Sequence, residues 1–193
     1  MDRLTDFIFK ENILPPDVCD LIVDQIAKDS NWYSHTYAKK GPDSKLSFPP
    51  DEFETLHSNE NVRNLLSPFV ENCIKIYNNF LVENNSFEDY QSYTGVTSCS
   101  NIKFNRCKPN TRVHVHHDHI HELFGGNNKS IPVLSVVGLL NDNFVGGDFI
   151  LFKNHNVYLQ KGDILLFPST FLYPHRVEKI IKGTRHSFVA WAF

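Results

Sequence analysis

Short apolar segments follow one another along the C-terminal half of the chain, from about residue 98 to the end. Polar turns marked by glycine separate several of them, at Gly146-Gly147, Lys161-Gly162-Asp163 and Lys182-Gly183. The segments are 102–107, 113–116, 133–140, 149–152, 157–159, 164–167, 177–181 and 187–193. About eight short strands at this spacing predict a double-sheet jelly roll rather than alternating βαβ units.

The N-terminal half carries helical patterns instead. Leu14-Pro15-Pro16-Asp17 precedes apolar residues at helical spacing, and proline is favoured in a first helical turn. A second helical pattern runs from about residue 60 to 80, where Ser67-Pro68 predicts a short turn followed by the main helix. We therefore predict a mainly β fold with flanking helices: a double-stranded β-helix core, or jelly roll, packed by N-terminal α-helices on one outer sheet face.

The length of the chain fits one domain with a sizeable core, since it has 193 residues. We predict a single domain over residues 1–193. Its helical N-terminal part is expected to cover about 1–97, and its jelly-roll core about 98–193.

Composition narrows the partners and the compartment. A net charge of −3 disfavours a nucleic-acid-binding surface, which normally has a basic footprint. The first residues include early acidic side chains, and no segment approaches the ~18 apolar residues of a spanning helix, so neither a signal peptide nor a membrane anchor is predicted. No cysteine pair forms a CxxC motif, which favours reduced thiols in a cytoplasmic protein. The cysteines are Cys19, Cys73, Cys99 and Cys107.

The segment VHVHHDHIH, residues 113–121, contains a pair of metal-ligand side chains. Because strand side chains alternate, His116 and Asp118 face one side and His117 faces the other. His114 has the phase of His116, and we predict that it supports the metal site or contacts substrate. One more histidine from a neighbouring strand would complete the two-histidine-one-carboxylate facial triad of non-haem Fe(II) oxygenases. The alternative is an exposed histidine-rich patch or an adventitious zinc site.

The third ligand must come from another part of the chain. His175 is favoured because it begins a strand after a proline-containing turn, and Arg185 follows ten residues later. A hairpin of the two strands would bring both side chains to one cavity. His155 is predicted to lie in a hairpin loop, and His186 to face away from the cavity. The candidates are His35, His57, His155, His175 and His186.

Arg185 is the candidate for binding a dicarboxylate. Its guanidinium can donate two parallel hydrogen bonds to one carboxylate. Ser187 lies two residues further along the same strand, so its hydroxyl would share that face. The alternative is that Arg185 forms an ordinary surface salt bridge.

Together, His116-x-Asp118, His175 and Arg185 resemble the metal and co-substrate motif of the Fe(II)/2-oxoglutarate-dependent dioxygenases, most closely the prolyl 4-hydroxylase-like branch. The resemblance covers about residue 13 to the C-terminus. Residues 13–22 are similar to the opening helix of that family. Further similar features are Gly146-Gly147-Asp148-Phe149, the segment 161–167 and Trp191.

The chain departs from the family pattern near the expected co-substrate. Cys107 stands where the family often has a tyrosine, Leu139 replaces another tyrosine, and Asn110 replaces a glycine. Asparagine tolerates left-handed backbone, so the turn at 110 is expected to survive. Other side chains are therefore candidates for contacting 2-oxoglutarate together with Arg185. These are Ser187, Asn105, Tyr173 and Ser135.

The resemblance implies an enzyme that uses Fe(II), 2-oxoglutarate and O2, with ascorbate as a further candidate. It implies that His116, Asp118 and His175 hold the iron, and that Arg185 pairs with the far carboxylate of 2-oxoglutarate. The implied reaction is C–H hydroxylation, of prolyl residues in a peptide or protein substrate.

Three other functions compete with prolyl hydroxylation. The first is hydroxylation of a small molecule such as a free amino acid. The second is a nucleic-acid demethylase, which is disfavoured because the usual second arginine after Arg185 is missing. The third is a non-catalytic jelly-roll binding module, which the complete metal and arginine set argues against.

Two polar segments are predicted to cover the active site. One is His119–Ser130, which contains Gly125-Gly126, and the other is the loop from about Tyr33 to Pro50. The alternative for the first segment is an ordinary loop between strands.

Overall fold

The computed structural model describes residues 2–35, 39–40, 46–47, 51–85, 96, 99–119 and 131–193. The helices are α1 Asp2–Thr5, α2 Pro16–Ala27 and α3 Glu60–Asn85. The strands are β1 Phe9–Asn12, β2 Tyr33–Ser34, β3 Lys39–Lys40, β4 Leu46–Ser47, β5 Glu54–His57, β6 Lys103–Cys107, β7 Val113–His116, β8 Leu134–Leu139, β9 Val145–Gly146, β10 Phe149–Leu151, β11 His155–Val157, β12 Asp163–Pro168, β13 His175–Val177, β14 Ile180–Lys182 and β15 Arg185–Ala192.

Two antiparallel sheets dominate these residues. The major sheet has the order β1-β12-β8-β15-β6-β5-β2, and the minor sheet has the order β11-β10-β13-β7. Apolar side chains of both sheets pack together between them, which is the arrangement of a jelly roll. The prediction of a mainly β, double-stranded β-helix core is confirmed. Two short pairs, β9 with β14 and β3 with β4, lie outside the two sheets.

The central strands of the major sheet are buried on both faces. In β12, Ile164 and Leu166 pack with the helices, while Leu165 and Phe167 belong to the cluster between the sheets. A strand covered on both sides needs apolar residues at nearly every position. This explains the continuous apolar run of β8, in which every residue is buried.

One close approach in the major sheet depends on a glycine. Gly138 of β8 lies directly opposite Phe188 of β15, and the phenyl ring covers it. A Cβ at position 138 would overlap that ring. Glycine here therefore makes room for an aromatic side chain in the cluster that faces the helices.

The two long helices pack on the outer face of the major sheet, as predicted. Cys19 and Ile22 of α2 and Leu66 of α3 are fully buried in the cluster shared with that face. Asn59 caps α3, because its side-chain oxygen accepts a hydrogen bond from the backbone N–H of Val62 at 3.0 Å.

The predicted break at Ser67-Pro68 is wrong. The helix α3 runs unbroken through Pro68 from Glu60 to Asn85. Pro68 is exposed, so the turn that lacks its N–H donor faces solvent.

The N-terminal part contributes strands as well as helices. β1 pairs with β12, and β5 pairs with β6, so both belong to the major sheet. The sheet therefore extends across the predicted boundary near residue 97. Among the described residues, no helix has both the length and the apolarity that crossing a membrane requires.

Candidate active site

The three predicted metal ligands meet at the edge of the minor sheet where β7 ends and β13 begins. His116 ends β7, His175 begins β13, and the two are direct cross-strand partners. The Nε2 atom of His116 lies 3.6 Å from Asp118 Oδ1, and that of His175 lies 3.9 Å from Asp118 Oδ2. One donor atom from each residue lies within 4.8 Å of the others, so the three could hold a metal ion.

Both imidazoles are held with Nε2 facing the centre of this cluster. His116 Nδ1 donates to the carbonyl oxygen of His114 at 2.8 Å, and His175 Nδ1 donates to that of Tyr173 at 3.1 Å. These bonds fix the tautomer in which Nε2 carries a lone pair. Burial, together with the neighbouring His175, also lowers the pKa of His116, which keeps it neutral. Neutral imidazole is the form that binds metals.

Asp118 is oriented by Ser135 of the major sheet. The Ser135 hydroxyl donates to Asp118 Oδ2 at 2.6 Å. Burial alone would raise the pKa of Asp118, but the two imidazoles, this hydrogen bond and the nearby Trp191 side chain outweigh it and lower the pKa. The carboxylate is therefore ionised and oriented as a metal ligand would be.

Arg185 lies at the other end of the cavity. Its side chain is 2% exposed, and its Nη1 donates to the hydroxyl of Ser187 at 2.8 Å. Its buried Nε finds no acceptor among the residues that the structure describes. Gly147 gives the side chain room, because a Cβ there would lie 3.1 Å from Arg185 Cδ. A buried guanidinium with a free donor fits a carboxylate ligand.

A cavity joins the triad to Arg185. Inner-face residues of β6 and β15 form one wall, and residues of the minor sheet form the other. Asn105 lies directly opposite Ser187 and lines the cavity beside it. The lining residues are His35, Phe53, Lys103, Asn105, Val113, His116, Asp118, Val136, Val137, Phe149, His175, Val177, Arg185, Ser187, Val189, Ala190 and Trp191.

Two candidate co-substrate contacts lie elsewhere. Tyr173 does not line this cavity: its hydroxyl donates to the carbonyl oxygen of Leu4 at 3.0 Å, and its ring packs against Phe152 and Phe167. Ser135 points to the metal cluster and supports Asp118 instead. Neither placement fits the predicted contact with 2-oxoglutarate, and we no longer propose it for these two residues.

Three further histidines are not among the metal ligands. His186 faces outward, as predicted, and contacts the Trp32 ring edge-on, with centroids 6.5 Å apart. His155 is exposed, but it begins β11 rather than lying in the predicted hairpin loop. The Nε2 atom of His114 lies 2.9 Å from Asp51 Oδ1, so its side chain anchors β7, while its carbonyl oxygen supports His116. Asn110 has a φ of 70°, the left-handed conformation expected for it.

Two residues line the cavity although the sequence patterns did not assign them to it. The sequence marks Trp191 only as an aromatic similar to one of the family, and in the structure it lines the cavity near Asp118. Lys103 was not singled out at all. Its alternation with Asn105 on β6 was the available signal, because residues two apart on a strand share a face. The predicted covers fall largely outside the described residues, which include none of 120–130 and only parts of 33–50.

The donor set limits the chemistry. Two imidazole nitrogens and one carboxylate on one side of an ion leave other coordination positions open, as in non-haem Fe(II) oxygenases. Arg185 and Ser187, at the far end of the same cavity, suit one carboxylate of a diacid. The residues present therefore fit both iron and 2-oxoglutarate.

Comparison with known proteins agrees with this geometry. Residues 102–193 match the 2OG-Fe(II) oxygenase superfamily. The match covers 92 of the 193 residues and includes the triad and Arg185. This match and the donor set indicate a 2-oxoglutarate-dependent dioxygenase, with Fe(II), 2-oxoglutarate and O2 as its cofactor and co-substrates. No curated protein matches its sequence.

Several solved structures share the fold of the oxygenase. The viral collagen prolyl hydroxylase vCPH from Paramecium Bursaria Chlorella virus-1, a 2OG complex, aligns with a TM-score of 0.65 at 12% identity, covering 96% of this chain and 94% of that one. A Pseudomonas putida prolyl-4-hydroxylase aligns with a TM-score of 0.65 at 15% identity, covering 99% and 94%. A Trichoplax adhaerens prolyl hydroxylase, in complex with a hypoxia inducible factor peptide fragment, gives 0.65 at 15% identity, covering 98% and 84%.

Proposed function

We propose that this oxygenase hydroxylates prolyl residues of a peptide or protein, with iron held by His116, Asp118 and His175. The observation that carries the proposal is the cavity in which this triad and the buried Arg185 face each other within a fold shared with prolyl hydroxylases. One of those relatives was solved with a peptide fragment, which supports a peptide substrate. When bound, iron and 2-oxoglutarate supply the oxidation: 2-oxoglutarate and O2 give succinate, CO2 and one oxygen atom for the substrate C–H bond.

In this proposal Arg185 binds and orients the co-substrate. Its free Nε and its second terminal nitrogen offer donors to the far carboxylate, and Ser187 can donate to the same group. Asn105, directly across from Ser187, can contact the diacid from the neighbouring strand. A shorter monocarboxylate would leave the guanidinium buried without a counter-charge, which costs about 3 to 5 kcal/mol. Arg185 thereby selects for a diacid.

The other residues of the cavity keep the metal ligands in place and exclude water. Ser135 holds Asp118, and the carbonyls of His114 and Tyr173 hold the two imidazoles. Phe53 and Trp191 add aromatic surface to the lining, which suits the apolar ring of a proline.

The proposal is tested with purified enzyme, Fe(II) and 2-oxoglutarate. Succinate formation and the mass of each candidate substrate are followed over proline-rich peptides, free amino acids and methylated oligonucleotides. We expect a gain of one oxygen atom on proline in at least one peptide, with matching succinate. His175→Ala should abolish both signals, whereas His155→Ala, an exposed histidine of the same sheet, should leave them unchanged.

Oxygen gain on free amino acids alone would replace the proposal with the small-molecule alternative. Succinate formation without oxygen gain in any peptide would leave the dioxygenase chemistry intact and contradict prolyl hydroxylation.

A further inference from the structure

Lys103 places an ammonium group in the wall of the cavity. It begins β6, where it lies directly opposite Val189 of β15 and His57 of β5. Its side chain lines the cavity, and its Nζ lies 5.9 Å from the centre of the Trp191 ring. The Lys103 side chain is half-buried, whereas lysines are mostly exposed when they have no partner. Burial lowers the pKa of Lys103, although the nearby Asp118 opposes this shift.

Within the described part of the chain, no group neutralises this ammonium. Among the described residues, none forms a hydrogen bond or ion pair with Lys103, whereas Lys161 and Lys108 each pair with a carboxylate. Asp118 is the sole acidic side chain among the residues that line the cavity, and it points to the metal cluster. The neighbouring His35 supplies no further charge, because burial and Lys103 lower its pKa to about 4.

Lys103 and Arg185 lie at different depths of the same cavity. Arg185 pairs in register with Cys107, four positions further along β6 than Lys103. At about 3.3 Å per residue, the two positions are roughly 13 Å apart along the strand. Lys103 lies at the level of Val189, close to Trp191 and Asp118 at the metal end. A diacid held by Arg185 would therefore leave Lys103 at the metal end of the cavity, on the side of the substrate that is to be hydroxylated.

The charges in the cavity also assign Arg185 and Lys103 to different ligands. Asp118 would neutralise one of the two positive charges of a ferrous ion. The two carboxylates of 2-oxoglutarate would then balance the remaining charge of the iron and the charge of Arg185. Lys103 then remains as an uncompensated cation beside the reacting centre. A half-buried cation without a counter-ion loses part of its hydration, and an anionic group of the substrate would offset that loss.

We propose that Lys103 binds a carboxylate of the substrate and makes this oxygenase selective for substrates that carry an acidic group next to the carbon it hydroxylates. This inference rests on the proposed function and narrows its substrate class. The carboxylate can come from an acidic residue beside the proline, from a C-terminal proline or from free proline. All three present the same oxygen acceptors to the ammonium.

Three substrate pairs separate these sources. The first is a blocked peptide with Pro-Glu or Pro-Gln, the second a peptide ending in proline as the free acid or the amide, and the third L-proline or prolinamide. The binding constant of each is measured without O2 on enzyme loaded with Mn(II) and 2-oxoglutarate, by calorimetry. The kcat/KM of hydroxylation is measured in parallel with Fe(II) and O2.

We expect the acid of at least one pair to bind about 10- to 100-fold more tightly than its amide, as for a hydrogen bond between charged groups. Lys103→Met should remove this preference, because methionine keeps the length of the stem without the charge. Lys103→Arg should retain part of it. Lys182→Met, at an exposed lysine of β14, is the matched control and should change nothing. The affinity for 2-oxoglutarate should stay the same in all variants.

Equal binding of acid and amide in every pair would overturn the inference, and so would a preference that survives Lys103→Met. A parallel loss of 2-oxoglutarate affinity in Lys103→Met would assign the residue to the co-substrate instead. A Lys103-dependent preference for acids without oxygen gain on proline would contradict prolyl hydroxylation alone, and would leave the carboxylate subsite standing.

Discussion

Arg106 and Arg185 lie on neighbouring strands of the major sheet but on opposite faces of it. On the outer face, Arg106 Nε donates to Glu54 Oε2 at 2.7 Å, and its guanidinium lies 4.1 Å from the centre of the Trp32 ring. On the inner face, the buried Nε of Arg185 has no acceptor among the described residues. The protein supplies the partners of the outer arginine and leaves the inner one for a ligand.

This difference extends along the whole of β15. Phe188, Ala190 and Ala192 pack into the cluster that faces the helices, while Arg185 and Ser187 line the cavity. Alternation along a single strand thus separates residues that stabilise the fold from residues that bind ligands. Substitutions on the outer face should lower the free energy of unfolding and leave ligand affinity unchanged. Substitutions on the inner face should lower ligand affinity and leave the free energy of unfolding nearly unchanged.

Arg185→Met should give the largest effect and tests the inner face. We expect the affinity for 2-oxoglutarate to fall at least about 100-fold, because a buried charge pair is lost. The melting temperature of the ligand-free protein should stay the same or rise, since an uncompensated buried charge is removed. Thermal melts with and without 2-oxoglutarate measure both, and a ligand at 100 times its Kd adds about 2.7 kcal/mol to the wild type.

The matched control for this prediction is Arg106→Met on the outer face. It should lower the melting temperature and leave the stabilisation by 2-oxoglutarate intact. If Arg185→Met melted lower and still responded to 2-oxoglutarate, the contrast between the two arginines would be wrong.

Phe188→Ala tests the outer face of the same strand. Truncating this fully buried ring should lower the free energy of unfolding by about 3 to 5 kcal/mol. The KM for 2-oxoglutarate of the folded fraction should not change, because the ring packs away from the cavity. Urea unfolding and steady-state kinetics at low temperature measure the two quantities.

Gly138→Ala provides an independent check of that packing. Its Cβ would overlap the Phe188 ring, so the variant should also be destabilised, while Gly138→Ala combined with Phe188→Ala should lose less than the sum of the two changes. Additive losses would mean that the ring does not depend on the glycine.

Ser135→Ala should have a smaller effect and tests the support of the metal ligands. Loss of the 2.6 Å hydrogen bond to Asp118 should weaken metal binding roughly 10-fold, the lower end for residues that orient a ligand. Titration with Mn(II) or Co(II) measures the change. Ser169→Ala should weaken binding less, because Ser169 reaches Asp118 only through Ser135. Equal effects of the two substitutions would show that Ser135 does not act directly.

Local pattern predicted much of the fold and of the metal cluster. The apolar run of 133–140 predicted a strand, which the structure has. The spacing of His116 and Asp118 predicted that the two meet, and they do, although β7 already ends at His116. The choice of His175 rested on its spacing from Arg185 in a predicted hairpin. The hairpin is wrong, because the strand of His175 belongs to the minor sheet and that of Arg185 to the major sheet.

Residues whose role depends on a remote partner could not be predicted. The polar strand β1 forms because Lys10 and Asn12 meet Asp163, more than 140 residues away, and their sequence alone indicates a loop. Tyr173 and Ser135 carry hydroxyl groups that could contact 2-oxoglutarate. In the structure, however, each hydroxyl donates to an acceptor of the protein itself. Lys103 could be placed on the cavity face by alternation, but its lack of a counter-ion becomes visible only in three dimensions.

Glu54 gives the smallest expected effect and completes the comparison on the outer face. Burial raises the pKa of its carboxyl, but hydrogen bonds from Arg106 and Lys108 outweigh this and hold the pKa below its ordinary value of 4.5. The ion pairs therefore stabilise the fold above that pH, and their contribution is lost as the pH falls through the lowered pKa of the folded state. At pH 7, Glu54→Gln should lower the free energy of unfolding by about 0.5 to 1 kcal/mol, since solvent screens the partly exposed pairs.

Chemical denaturation from pH 7 to pH 3 tests this prediction. The difference between wild type and Glu54→Gln should shrink as the pH falls below 4.5, because wild-type Glu54 also becomes neutral. The affinity for 2-oxoglutarate at pH 7 should be equal in the two proteins. A difference in stability that is constant with pH would mean that Glu54 acts through packing rather than charge. A change in 2-oxoglutarate affinity would mean that the two faces of the sheet are coupled.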